Sequence, residues 1–251
     1  MLVMQTRAEM VRFWRVPVFG FFSIGLPLII FTFFGLKEAT HPISPNLSVT
    51  VGTYVMASMA AYAVGNVMVF SFGMALAVER GQKQDRLLRA SPLPPPIYLL
   101  AKVINAVLFG LLALVVLFVF AHFAASVNLG ANQWVTLTAR LLLGSIPFIG
   151  LGLGFGYLAG PNSAPAVINF VYLPIAFASG IFIPVSQLPD FIRSLAPYLP
   201  LNPFVQLGWN AIGVPTDRSV TTNALYLVAY SIGFFLLAVW AYRRDQSLKF
   251  S

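Results

Sequence analysis

Apolar residues run in long unbroken stretches along this chain, and polar ones gather in a few short blocks. From residue 39 to residue 78 there is no Asp, Glu, Lys or Arg. A helix needs about 20 predominantly apolar residues to cross a bilayer. Six segments reach that length: 18–36, 51–78, 103–127, 141–159, 164–185 and 223–242. The second is long enough to tilt or to extend beyond the bilayer. The first follows Arg7, Arg12 and Arg15 in the manner of a secretory leader. Its apolar run is long, however, and no small-x-small site closes it, so it reads as a retained span.

Composition agrees with that pattern. Hydrophobic residues make up 59% of the 251 and charged residues only 9%, against about 25% in soluble domains. The 18 prolines scattered through the apolar runs are tolerated in membrane helices whose neighbours re-satisfy the freed backbone groups. There is no cysteine, which excludes disulfides and thiolate metal sites. A net charge of +8 raises the question of nucleic acid. With no soluble basic domain to carry it, the charge reads as membrane topology and lipid headgroup contact. The expected fold is an all-α integral membrane protein of six transmembrane helices forming a single domain over 1–251, with no nucleotide-binding domain.

The cations divide unevenly between the two sides. If both ends lie together, that side holds Arg7, Arg12, Arg15, Arg80, Lys83, Arg86, Arg89, Lys102, Arg243, Arg244 and Lys249. The other holds Lys37, Arg140, Arg193 and Arg218. The positive-inside bias therefore places both termini in the cytoplasm. Lys102, at the start of the third span, is placed to snorkel to the interface. Residues 2–15, LVMQTRAEMVRFWR, suit a short amphipathic helix on the inner membrane surface with Trp14 at headgroup level; a frayed cationic tail is the plainer alternative.

ERGQKQDRLLRASPLPPPIYLLAK, residues 79–102, then becomes the main cytoplasmic loop. Glu79 with Lys83, and Asp85 with Arg89, are acid-first pairs four apart that favour a short helix. Ser91-Pro92 ends it, because the residue before proline avoids helical dihedrals. The run PLPPP forms a stiff elbow, and Leu87 and Leu88 give the helix one apolar face. The residues alone leave two readings open: a docking element for a soluble partner, or a solvated loop that only enforces topology.

This stretch resembles the first cytoplasmic loop of ABC transporter permeases of the type-2 export family, through Glu79, Arg80, Gly81, Leu87, Leu88, Ser91, Pro92, Leu93 and Lys102. It departs in having Gln82-Lys83-Gln84-Asp85 where a Gly-Thr is usual. SGIFIPVSQLPDFIRSLAPYLPLNPFVQLGW, residues 179–209, resembles that family's segment between the fifth and sixth spans. The resemblance implies a permease acting as a homo- or heterodimer in a prokaryotic plasma (inner) membrane. It implies separate ATPase subunits that bind ATP and magnesium, and coupling to them through Glu79, Arg80, Gly81, Leu87, Leu88, Ser91 and Pro92. This chain itself is expected to bind no cofactor.

Residues 186–213 are apolar yet interrupted at Pro189, Pro197, Pro200 and Pro203, so they cannot form one straight spanning helix. Two short helices are predicted. One begins near Pro189 and stops before Pro197. The second takes Asn202 as its N-cap and Pro203 as its first residue. Irregular backbone at membrane depth must be covered by protein or line a cavity, which gives a re-entrant helical hairpin at the outer mouth of a pathway, marked by Pro184, Pro189, Asn202 and Pro203. A loop lying on the outer surface is the alternative, and the resemblance favours the hairpin.

Asn66, Asn105, Asn169 and His122 fall inside spans. Buried polar groups there are often functional, although single asparagines commonly just bond a neighbouring helix for about 1 kcal/mol or less. The three asparagines are pathway candidates; His122 lies near the outer end of its span, where it meets water. Gly154, Gly156 and Ala159 fit a G-x-G-x-x-A pattern, but no strand context surrounds them. The fourfold spacings Gly150/Gly154, Gly152/Gly156 and Gly156/Gly160 read instead as close helix packing.

No G-x-x-x-x-G-K-[ST] is present, so ATP cannot be held by a P-loop here. Two histidines and no clustered acids offer no metal or hydrolytic constellation. An integral-membrane enzyme acting on a lipid would need paired acids or His-rich motifs. A secondary transporter would need intramembrane carboxylates for ion coupling, and the seven acids fall outside the six runs. The expected function is the membrane half of an ATP-driven exporter, with the aromatic, nearly uncharged spans favouring a hydrophobic or amphipathic cargo such as a drug, antibiotic, lipid or glycan precursor.

Overall fold

The computed structural model describes residues 21–82, 95–160 and 162–249. The amphipathic segment at 2–15 and the residues Leu87, Leu88, Ser91 and Pro92 lie outside the described residues. Those that are described fold into helices, with no strand beyond an isolated bridge between Pro42 and Thr50. We number the helices α1 (Ser23–Gly35), α2 (Val51–Gly81), α3 (Pro95–Ala125), α4 (Ala131–Gly144), α5 (Ile146–Leu158), α6 (Ala164–Ala178), α7 (Asp190–Leu195), α8 (Leu201–Ala211) and α9 (Val220–Lys249).

Helix α2 is the axis of the bundle. It starts at Thr50, whose Oγ1 accepts the Thr53 amide at 3.3 Å. Every residue from Met56 to Gly73 is buried. A helix that is apolar on all sides belongs in a core, and the small residues in MASMAAYAVGNVMVFSFG let neighbours come close. α5 lies along one side of it and α9 lies beyond α5. A Cβ placed on Gly152 would sit 2.6 Å from Val69 O, and one on Gly156 would sit 2.9 Å from Gly73 O. Toward α9, a Cβ on Gly150 would meet the Phe235 nitrogen at 3.0 Å. The glycine spacing is therefore a packing seam, as the sequence indicated.

α4 and α5 form one interrupted span. Ser145 breaks the helix between them, bonding Leu142 O at 2.7 Å, and Pro147 follows in the first turn of α5. Among the described residues, four units are long and apolar enough to cross a membrane: α2, the stretch Leu100–Ala125 of α3, Ala131–Leu158, and Val220–Gln246 of α9. α1 and α6 are apolar but shorter. α6 ends seven residues before the expected 185. There, Gly180 at φ +86° closes a turn in which the Gly180 amide donates to Phe177 O (3.2 Å) and the Ile181 amide to Ala176 O (3.3 Å). This paired bonding across a left-handed residue is the Schellman helix stop. The same stop recurs at Gly213 (φ +89°), with bonds to Asn210 O and Trp209 O, and ends α8.

α7 and α8 are the two short helices expected between 186 and 213. α7 begins directly after Pro189 and leads into a 3₁₀ turn at Ala196–Tyr198. α8 is buried from Leu201 to Trp209. A Cβ placed on Gly144 of α4 would sit 3.1 Å from the Phe204 ring, and one on Gly65, midway along α2, would sit 3.5 Å from it. Asn202 is not its N-cap, in contrast to the sequence expectation. The helix starts earlier, with Pro200 in the capping position and no side-chain cap, because Asn202 is bonded elsewhere.

Candidate functional site

Glu79 and Arg80 end α2 at the base of the 79–102 segment. Successive helical residues are about 100° apart, and these two reach different neighbours. Lys102 Nζ on α3 donates to Glu79 Oε1 at 2.8 Å, and the Tyr98 hydroxyl donates to Glu79 Oε2. Tyr98 and Lys102 are four apart and so share a face of α3. The ammonium lies 4.9 Å from the centre of the Tyr98 ring, within cation–π range. Both partners of the ion pair are only 6% exposed. Lys102 is thus held inside the bundle by Glu79 rather than snorkelling alone.

Arg80 reaches the other way. Its Nη1 donates to Gly156 O (2.6 Å) and Tyr157 O (2.8 Å). These carbonyls are in the last turn of α5, where no intrahelical amide is available. A cation there also complements the negative end of the helix dipole. Arg80 Nη2 donates to Asp245 Oδ1 on α9, and the guanidinium lies over the Tyr157 ring, 5.6 Å from its centre. Four helices, α2, α3, α5 and α9, are thereby joined at one level by side chains from two adjacent residues. A buried ion pair adds little net stability against its desolvation, but removing one partner costs about 3–5 kcal/mol. The cluster consequently fixes geometry more than it adds stability. Gly81, the last residue of α2, is exposed. Sequence reasoning found Glu79 and Arg80 but missed Tyr98 and Asp245.

The opposite end of the bundle carries a chain of buried amides. Asn202 Nδ2 donates to Ser179 O at 3.1 Å, a carbonyl left over where α6 stops. Asn202 is therefore a cap after all, but for the C-terminus of another helix. Gln206 Nε2 donates to Asn202 Oδ1 (3.0 Å), and Asn223 Nδ2 on α9 donates to Gln206 Oε1 (3.3 Å). All three side chains are buried. Nearby, Trp209 Nε1 donates to Ser58 Oγ on α2 at 2.8 Å while its ring stacks on Tyr54. Pro203 is buried in α8, whereas Pro184 and Pro189 are exposed around the 3₁₀ turn Val185–Gln187. Gln206 and Asn223 were not anticipated, since nothing in their local sequence marks them.

The three pathway candidates do not converge. Asn66 Oδ1 accepts from Ser23 Oγ on α1 at 2.9 Å. Asn105 Nδ2 donates to Ala101 O and Asn169 Nδ2 to Pro165 O, each four residues back on its own helix. His122 Nδ1 lies 3.0 Å from Val127 O, to which it donates.

Among the described residues, a helical bundle with four apolar units long enough to cross a membrane, and an apolar interior, is that of a multi-pass membrane protein. Residues 2–208 match the sequence profile of the ABC-2 type transporter family. A Bacillus subtilis (strain 168) protein named "Putative transport permease YvfS" is 28% identical over 246 residues, covering 97% of this chain and 98% of that one. The chain belongs to the ABC-2 type transporter family, as the two motifs at 79–102 and 179–209 indicated, and is a membrane permease of an ABC transporter.

Proposed function

We propose that the chain is the transmembrane subunit of an ATP-driven exporter in a prokaryotic plasma membrane, with both termini cytoplasmic. It works as a homo- or heterodimer with a second permease subunit, coupled to separate ATPase subunits that hold ATP and magnesium. In this reading α1, α2, α3, the α4–α5 unit, α6 and α9 are six crossings, and α7–α8 form the re-entrant hairpin at the outer mouth. The burial of α8, with Phe204 beside the middle of α2, supports that hairpin. Asn66, buried and bridging α1 to α2, is the favoured pathway group, followed by Asn105 and Asn169. The cargo is hydrophobic or amphipathic.

The observation that carries this reading is the clasp below the 79–102 segment. A push on that segment is delivered through Glu79 to α3 and through Arg80 to α5 and α9, so a soluble motor can move several helices at once. In this reading Leu87, Leu88, Ser91 and Pro92 are the residues that engage the ATPase. Replacing Leu87 and Leu88 together by Ser weakens co-purification with the ATPase, by about 2–4 kcal/mol if both fill a groove on the partner. Transport in reconstituted vesicles falls with it. If the variant co-purifies and transports like the parent, the segment only sets topology. The chain freed of its partners hydrolyses no ATP; turnover that persists after every ATPase is removed refutes the division of labour.

A further inference from the structure

Beside the interrupted span, between α4–α5, α8 and α9, lies a groove of about 260 Å³. Its walls include Leu143, Ile146, Leu207, Leu227 and Val228, and apart from Arg140 and Ser231 every side chain lining it is apolar. The Ser231 hydroxyl is turned to its own helix, donating to Leu227 O at 2.9 Å. On α9 the lining residues run from Val220 to Ser231, about 16 Å along the axis. Arg140 is the cationic group of the groove.

The height of Arg140 decides what such a groove holds. It stands directly before the apolar run that begins at Leu141. Along the α4–α5 unit it is separated from Tyr157, whose carbonyl Arg80 binds, by about 26 Å of helix. That is close to the hydrocarbon thickness of roughly 30 Å. With the Glu79–Arg80 cluster at one headgroup level, Arg140 is at the other, and the groove runs from it into the acyl region of that leaflet. Among the described residues no carboxylate pairs with Arg140. Asn210 Oδ1 takes one of its N–H groups at 2.7 Å, which steadies the guanidinium and leaves other donors of its planar fork for a second acceptor. The volume is below the roughly 300–1,000 Å³ of pockets that enclose a whole drug-sized ligand. One lipid chain suits it better than an engulfed cargo molecule.

We propose that this groove is a binding site for an anionic phospholipid of the leaflet opposite the 79–102 segment, with the headgroup phosphate on Arg140 and one acyl chain between α4–α5 and α9. The phosphate completes the guanidinium's hydrogen bonding by a charge-assisted contact, and the chain covers apolar side chains that otherwise face loosely packed lipid. The site is a resident lipid position and does not depend on the export reading.

The test is native mass spectrometry of the full chain, purified in detergent and titrated with phosphatidylglycerol or phosphatidylcholine of identical acyl chains. The parent retains one phosphatidylglycerol in preference to phosphatidylcholine. R140Q binds phosphatidylglycerol about tenfold more weakly, the scale of one charge-assisted bond, and loses the preference, while R140K keeps part of it. A224F fills the groove and loses binding with the charge intact. N210A removes the steadying bond but leaves the cation, and still binds. If A224F does not fold, the comparison of R140Q with R140K stands by itself. Equal retention of both lipids by the parent, or unchanged phosphatidylglycerol binding in R140Q, overturns the proposal.

Discussion

The Glu79–Lys102 pair gives the sharpest energetic prediction. K102M removes the ammonium that donates to Glu79 Oε1 at 2.8 Å and leaves a carboxylate that is 6% exposed without that cation. Breaking one side of a buried pair costs about 3–5 kcal/mol. The Tyr98 hydroxyl still donates to Glu79, which retains about 1 kcal/mol, so the expected loss is roughly 2–4 kcal/mol. E79Q is milder, because the amide oxygen still accepts from Lys102. In the double variant E79Q/K102M no charge of the pair remains in the core, and its loss of stability is smaller than the sum of the two single losses. The coupling energy from the cycle is about 1–3 kcal/mol. The assay is reversible unfolding of the purified chain in mixed detergent micelles, followed by circular dichroism. If K102M is within about 0.5 kcal/mol of the parent, the range for unperturbed surface sites, the two groups are hydrated and the clasp does not exist as described.

Two further outcomes are expected. G152V pushes a side chain into Val69 O, Val69 Cα and the Gly73 amide, all within 3.2 Å of the Cβ position. Because that wall is backbone, the loss is at least the roughly 1–3 kcal/mol of an overpacked core, seen as a lower unfolding midpoint, whereas G233V meets nothing within 4 Å and shifts it little. Single cysteines at Ser44, Ser91 and Ser194, probed with an impermeant thiol reagent in sealed cells, label at 44 and 194 and not at 91; the reverse pattern refutes the cytoplasmic placement of the termini.

The helices were legible because hydrophobic run length is a strong signal, and the glycine seam because its fourfold spacing has a direct steric meaning. The base of the 79–102 segment was partly legible. The resemblance marked Glu79 and Lys102, but Glu79 was read as pairing with Lys83 and Lys102 as snorkelling, whereas the two meet across α2 and α3. Asp245 gave no such hint, since its partner is 165 positions away. The end of α6 was misjudged because the apolar run continues through ASGIFIPV while the backbone turns at Gly180; hydropathy is blind to a left-handed glycine. Asn202 was read as a local cap because its sequence neighbours favour one, yet the leftover carbonyl of Ser179 competes for the same amide.

The backbone contacts along the glycine seam bear on how this protein can move. Where side chains separate two helices, rotamer changes let them slide past one another. α2 and α5 touch through Gly152 and Gly73 with nothing flexible between them, and α9 bears on α5 through Gly150 in the same manner. Interfaces of this kind have no intermediate gear. Sliding among these three helices is therefore sterically hindered, and the break at Ser145 is one place inside a span where the helix is already interrupted.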